Sequence, residues 1–183
     1  MDQQPPVTVP ESLRYRDGLY KLERFGRAGA VTSISDKRNV TRPLRALHRP
    51  WFEVWMPTNV AALTTTGRKS GKSRTNYVRA YRDSDKAYLV SITGEHALWL
   101  KNIRANPKVT LRFRRDTMSG TARDPQDDAE RQAIRDAFCG STRPFDYAEN
   151  MFHRKGLPSR TKIIELHTAW LEGGTVVIVD ASN

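Results

Sequence analysis

Alternating apolar and polar positions mark the middle of the chain. Thr75 to Arg82 sets Tyr77, Arg79 and Tyr81 against Val78 and Ala80, and Lys108 to Arg115 sets Val109, Leu111 and Phe113 against Lys, Thr and Arg. A period of two is that of a half-buried strand, so both stretches are predicted strands, the second with a strongly basic outer face. β-Branched content predicts another strand at residues 60–66, joined to the next through Gly67–Arg74 as a hairpin. Asp83-Ser84-Asp85-Lys86 reads as a polar turn into a third strand at 87–92, completing a meander.

Elsewhere the spacing is helical. Leu98, Trp99, Asn102 and Ile103 predict a helix over 95–105, and Asn106-Pro107 forces the chain out of it. Residues 125–138 carry Asp127, Asp128 and Glu130 early and Arg131 and Arg135 later, with Gly140 beyond, which predicts an amphipathic helix. Two closing strands are predicted at 161–168 and 175–180, with Trp170-Leu171-Glu172-Gly173-Gly174 as a tight turn between them. Near the start, Leu13, Leu19, Leu22 and Phe25 predict a short helix within 11–30, capped by Ser12. About six strands with few helices give a mainly β fold with helices (α+β), a small antiparallel barrel rather than a doubly wound sheet. The expected organisation is a mobile tail at 1–12, a helical appendage at 13–59 and a barrel domain at 60–183.

Composition narrows the class. At 183 residues, 38% hydrophobic and 28% charged, the chain is ordinary for a soluble globular protein, and no apolar run approaches the ~20 residues of a membrane span. Met1 to Pro6 lacks the basic and apolar regions of a secretory signal. The single cysteine, Cys139, excludes an intrachain disulfide, and a cytoplasmic location is expected.

Charge changes the picture more. Residues 60–115 hold 13 Lys and Arg against 3 Asp and Glu, so this third carries +10 of the net +11. Such a field steers an anionic partner: nucleic acid, lipid headgroups or a phosphorylated, polycarboxylated small molecule. Residues 42–57 mix Arg with Trp51, Phe52 and Trp55, which suits either a helical lid beside a pocket or peripheral membrane contact.

The usual catalytic constellations are missing. His48, His96, His153 and His167 have no metal-ligand spacing, Cys139 has no evident base, and no nucleophile elbow, phosphate loop or dinucleotide glycine pattern occurs. Chemistry is therefore expected from a cofactor. In Gly67-Arg68-Lys69-Ser70-Gly71, glycines free backbone N–H groups to turn inward, Arg offers a forked donor, Lys a point charge and Ser a hydroxyl. That set suits a phosphate, and it equally suits a solvated hairpin tip. A nucleic-acid surface would use the same residues, with Tyr77 or Trp99 as stacking platforms.

The longer string Leu-Thr-Thr-Thr-Gly-Arg-Lys-Ser-Gly-x-x-Arg, the Trp-x-x-Asn helix and Arg-Ala-Asn-Pro-Lys-Val-Thr-Leu together resemble the deazaflavin-dependent nitroreductase family. The resemblance is strong over residues 60–115 and weak in the C-terminal strands. It implies a split β-barrel, flavin-reductase-like, binding coenzyme F-420 (8-hydroxy-5-deazaflavin), with FMN as the alternative. It also implies hydride transfer between the reduced cofactor and a quinone, an enone or a nitro compound. By position it carries phosphate contacts to Arg68, Lys69 and Ser70, continuing through Arg74, Thr75, Asn76 and Tyr77. Ring contacts fall on Val90, Ser91 and Ile92, and on Leu98, Trp99, Leu100 and Asn102. Lys72, Lys101 and Arg104 are expected to attract the cofactor's polyglutamate tail, and Tyr147 to offer a substrate-side hydroxyl. Tyr77, Leu100 and the short 91–96 loop depart from the family pattern, which implies a reshaped pocket. The expected partner is a small-molecule substrate rather than nucleic acid, and a homodimer is compatible.

Overall fold

The computed structural model describes residues 7–23 and 55–182. Six antiparallel strands close into a barrel in the order β1-β2-β3-β6-β5-β4. They are β1 (Val60–Thr66), β2 (Ser73–Asp83), β3 (Lys86–Ser91), β4 (Lys108–Arg112), β5 (Thr117–Arg123) and β6 (Thr175–Ala181). Among the described residues four α-helices accompany them: α1 (Leu98–Ala105), α2 (Asp128–Cys139), α3 (Pro144–His153) and α4 (Arg160–Gly173). Closure leaves no strand edge of the barrel unpaired, because β1 pairs both β2 and β4, and β6 both β3 and β5.

Strand alternation sorts side chains between two layers. Ala61, Leu63, Val78, Ala80, Leu89, Leu111, Met118 and Val179 fill the interior, joined by Leu100 and Ile103 of α1. Fully burying Leu100 contributes roughly 1.5–3 kcal/mol relative to leaving it exposed. A second core lies outside the barrel wall, where α2 and α4 pack Phe138, Leu166 and Trp170 against Tyr81, Tyr88 and Val90. Val9, Leu13 and Tyr20 join this second core, so residues 9–13 are anchored where a tail was expected.

Several expectations are corrected. The segment predicted as a strand at 161–168 lies in α4: Ile163, Leu166, His167 and Trp170 recur at helical spacing on a buried face, and Ser159 caps the start by accepting from the Lys162 N–H. Burial of that face outweighs the β-branched residues that suggested a strand. Gly173 and Gly174 accordingly end a helix rather than form a hairpin turn. The fourth strand stops at Arg112, and Phe113–Asp116 turns the chain into β5, where two of the inward residues, Gly120 and Ala122, are too small to advertise a strand. Helix α3 was not anticipated; Pro144 opens it, and the Asp146 carboxylate accepts from the Arg143 N–H in a capping box. The helix expected over 11–30 appears in its described part as one 3-10 turn, Glu11–Leu13, and its remainder from residue 24 lies outside the described residues. Of the 42–57 segment only residues 55–57 are described; Met56 is buried on Val60 and Ala62, and Trp55 stacks with Arg114.

Candidate functional site

A cavity of about 1020 Å³ opens on the outer face of the barrel. Its floor is the outward side of four strands: Ala62 and Thr64 of β1, Ser73, Thr75 and Tyr77 of β2, Thr110 and Arg112 of β4, and Thr117 of β5. Short threonines dominate because the same strands spend their alternate, larger positions on the interior. One end is closed by Gly67, Arg68, Lys69 and Ser70, and one side by Leu98 and Asn102 of α1.

The turn at 67–72 is built by its own backbone. The Ser70 and Gly71 N–H groups donate to the Gly67 carbonyl at 3.1 and 2.8 Å, and the Gly67 N–H donates to the Lys72 carbonyl at 2.8 Å. Gly71 holds φ +65°, a conformation costly for side chains with a Cβ, and at Gly67 an added Cβ would sit 3.0 Å from the Lys72 carbonyl oxygen. Asn102 ties the turn to the barrel. Its carbonyl oxygen accepts from the Arg68 N–H at 3.2 Å, and its amide donates to Thr65 Oγ1 at 3.1 Å. Arg68, Lys69, Ser70 and Arg74 are then exposed at the mouth. Among the described residues no carboxylate lines the cavity, so the charges they bring to it are all positive.

Of the residues assigned from the sequence, nine meet in this cavity: Arg68, Lys69, Ser70, Arg74, Thr75, Asn76, Tyr77, Leu98 and Asn102. Six lie elsewhere. Val90 and Ile92 pack in the second core, the Ser91 hydroxyl donates to the Gly94 carbonyl at 2.8 Å, and Leu100 and Trp99 face the barrel interior. Tyr147 is partly exposed on α3, its hydroxyl 3.5 Å from that of Thr142. Arg104, expected to be free for a polyanionic tail, is bound by Glu95 and Asp124. The floor residues Thr64, Thr110, Arg112 and Thr117 went unassigned, although the alternation of β4 already placed Thr110 and Arg112 on its outer face.

A second group of polar residues lies under α3 and α4, apart from the cavity lining. Arg79 points outward from β2 and meets Asp146 Oδ1 at 2.5 Å, Glu149 Oε2 at 3.4 Å and His167 Nε2 at 3.0 Å. The Phe138 carbonyl can only accept, so His167 Nδ1 carries the proton in their 2.7 Å bond and Nε2 accepts from Arg79. Burial and the neighbouring Arg79 cation hold the His167 imidazole down to about 4 and that of His153 to about 4. Burial pushes the Glu149 carboxyl up to about 7, against the pull of Arg79. Asp146, Glu149 and His167 are spaced closely enough to share a metal ion, but the Arg79 guanidinium already supplies their cation. Cys139 is partly buried 3.7 Å from Thr168 Oγ1, and burial raises its thiol, which disfavours a nucleophilic role.

The family model for F420H(2)-dependent quinone reductase matches residues 36–151. Among solved structures, an F420-H2 dependent reductase (FDR-A) is 24% identical over 67% of this chain and 94% of its own, with a TM-score of 0.43. A domain-swapped dimer is 22% identical over 78% of this chain and 100% of its own, TM-score 0.44. HutZ, the heme storage protein of Vibrio cholerae, is 12% identical over 78% of this chain and 90% of its own, TM-score 0.43. The family match spans more than half of the chain and covers the grip turn, α1 and the four strands that form the cavity floor. The chain belongs to the F420H(2)-dependent quinone reductase family and is a deazaflavin-dependent oxidoreductase that transfers hydride to small acceptors.

Proposed function

We propose that the outer-face cavity binds coenzyme F-420, with the phosphate held by Arg68, Lys69, Ser70 and Arg74. The observation that carries this reading is the donor set: three cations and a hydroxyl converge on one mouth with no carboxylate among the described lining residues to neutralise them. A phosphodiester fits that set, and the Thr64, Thr75 and Thr110 floor is low enough for a flat ring to lie along it. When bound, the deazaflavin supplies the hydride chemistry.

The chain's own residues bind and orient. Asn102 holds the Arg68 backbone in place, so the grip is formed before a ligand arrives. Tyr77 and Leu98 give the ring apolar walls and exclude water from them. Lys72 and Lys101, both without carboxylate partners among the described residues, are the remaining candidates for a polyglutamate tail. The acceptor is proposed to be a quinone, enone or nitro compound. A homodimer is proposed as the assembly; membrane contact through 42–57 finds no support in the described residues.

Equilibrium titration tests the reading. The chain is expected to bind F-420 in preference to FMN, and Arg68→Ala with Lys69→Ala to weaken F-420 at least about tenfold while leaving the melting temperature unchanged, since both side chains are exposed. Equal affinity in the double variant would defeat the phosphate assignment; preference for FMN would favour the alternative cofactor.

A further inference from the structure

The strand register places Tyr77, Ala62, Arg112 and Thr117 in one row across β2, β1, β4 and β5. Ser73 and Thr66 form another row, four residues along the same strands and next to the grip. At ~3.3 Å per residue the two rows stand ~13 Å apart. Arg112 therefore lies at the end of the floor away from Arg68, Lys69 and Ser70, within the same cavity.

Its surroundings differ from those of four arginines elsewhere in the molecule. Arg79, Arg104, Arg123 and Arg154 are each bound by two carboxylates. Arg112 makes no side-chain hydrogen bond or ion pair among the described residues, and its row neighbours Ala62 and Thr117 are too short to reach its guanidinium. Among the described residues, the charged and titratable groups facing the cavity are Arg68, Lys69, Arg74, Arg112 and Tyr77, and none is acidic. A forked donor left without an internal acceptor, at a fixed distance from a phosphate grip, calls for a second oxyanion on the same ligand.

We propose that Arg112 is a second anion-binding point, receiving the oxyanion that the bound deazaflavin ring carries, delocalised between its hydroxyl and carbonyl edges. This rests on the cofactor reading above and adds to it the residue that fixes how far along the floor the ring lies. The five-carbon polyol between phosphate and ring spans only part of the distance between the two rows, so the ring itself, rather than the acceptor, reaches Arg112. An ion pair there favours the ionised ring over the neutral one.

The test follows ring ionisation by absorbance across neutral pH with oxidised F-420 bound to the full chain. The hydroxyl is expected to ionise about one pH unit lower in the unsubstituted protein than in Arg112→Gln. Arg112→Lys should fall between, and Arg115→Gln, exposed but off the cavity, should match the unsubstituted protein. If cofactor binds, depends on Arg68 and Lys69, and titrates identically in Arg112→Gln, the Arg112 assignment alone is overturned. If the unsubstituted chain takes up no cofactor, the cofactor reading fails and this proposal with it. Should Arg112→Gln itself not bind, the Arg112→Lys titration decides between the same outcomes.

Discussion

Asn102 commits both ends of its side-chain amide to one task, with its oxygen on the Arg68 N–H and its nitrogen on Thr65. It touches the grip's backbone rather than the phosphate position, which makes it a positioning residue. Removing it leaves the part-buried Arg68 N–H of the grip without its acceptor and the Thr65 hydroxyl without its donor, a cost of roughly 1–2 kcal/mol. Asn102→Ala is expected to lower the melting temperature by a few degrees and to weaken phosphate-dependent binding several-fold, while Asn102→Asp, which keeps the acceptor, should restore part of the affinity. Titration of cofactor alongside thermal denaturation checks both. An affinity unchanged in Asn102→Ala would mean that the turn holds its shape through its own backbone bonds alone.

At the scale of elements, α3 and α4 clamp Arg79 between Asp146, Glu149 and His167, and the pH response of that clamp has opposing parts. Glu149 titrates higher folded than unfolded, so the stability it brings is present at low pH and is lost as pH rises from the ordinary carboxylate range through about 7. His153 and His167 titrate lower folded than unfolded, so their contribution is present above the ordinary histidine range and is lost as pH falls through it toward about 4. Stability should therefore peak between these limits, near mildly acidic to neutral pH. Glu149→Gln is expected to behave like the native chain at pH near 5 and to be more stable than it above pH 7, by an amount on the order of 2 kcal/mol. Chemical denaturation at two pH values measures this, and a constant difference between the two proteins would rule out Glu149 as the source.

The same elements show what the sequence made legible and what it did not. β1 to β4, α1 and the grip announced themselves through clean periodicity and glycine placement. The six-strand count was right although one strand was misplaced: β5 has Gly120 and Ala122 where bulky residues would have signalled an inward face, and α4 mixes Thr161, Ile163 and Ile164 at the start of a helix stabilised by tertiary burial. The grip half of the cavity was readable because phosphate binding demands particular residue types. The floor was not, because Thr64, Thr110 and Thr117 line it through strand pairing that only the closed barrel brings together.

At the scale of the molecule, the positive field of the middle third has no acidic counterweight among the described residues of the cavity, whereas the arginines bound elsewhere on the surface are neutralised locally. Association with an anionic ligand is accordingly expected to slow markedly as ionic strength rises past ~0.1 M, where the screening length falls to ~10 Å, with dissociation changing much less. Stopped-flow binding at two salt concentrations reads this directly, and an association rate indifferent to salt would speak against steering.

The strict alternation of the strands has one more consequence. Thr64, Thr110 and Thr117 each sit beside a neighbour buried in the interior, so the surface that meets the ligand is interleaved in sequence with the barrel's interior cluster yet shares no side chain with it. Thr64, Thr110 and Thr117 are free to drift in size and polarity while Leu63, Val109, Leu111 and Met118 stay fixed. A lineage built on this barrel can explore new acceptors through its outward positions without first relaxing its core.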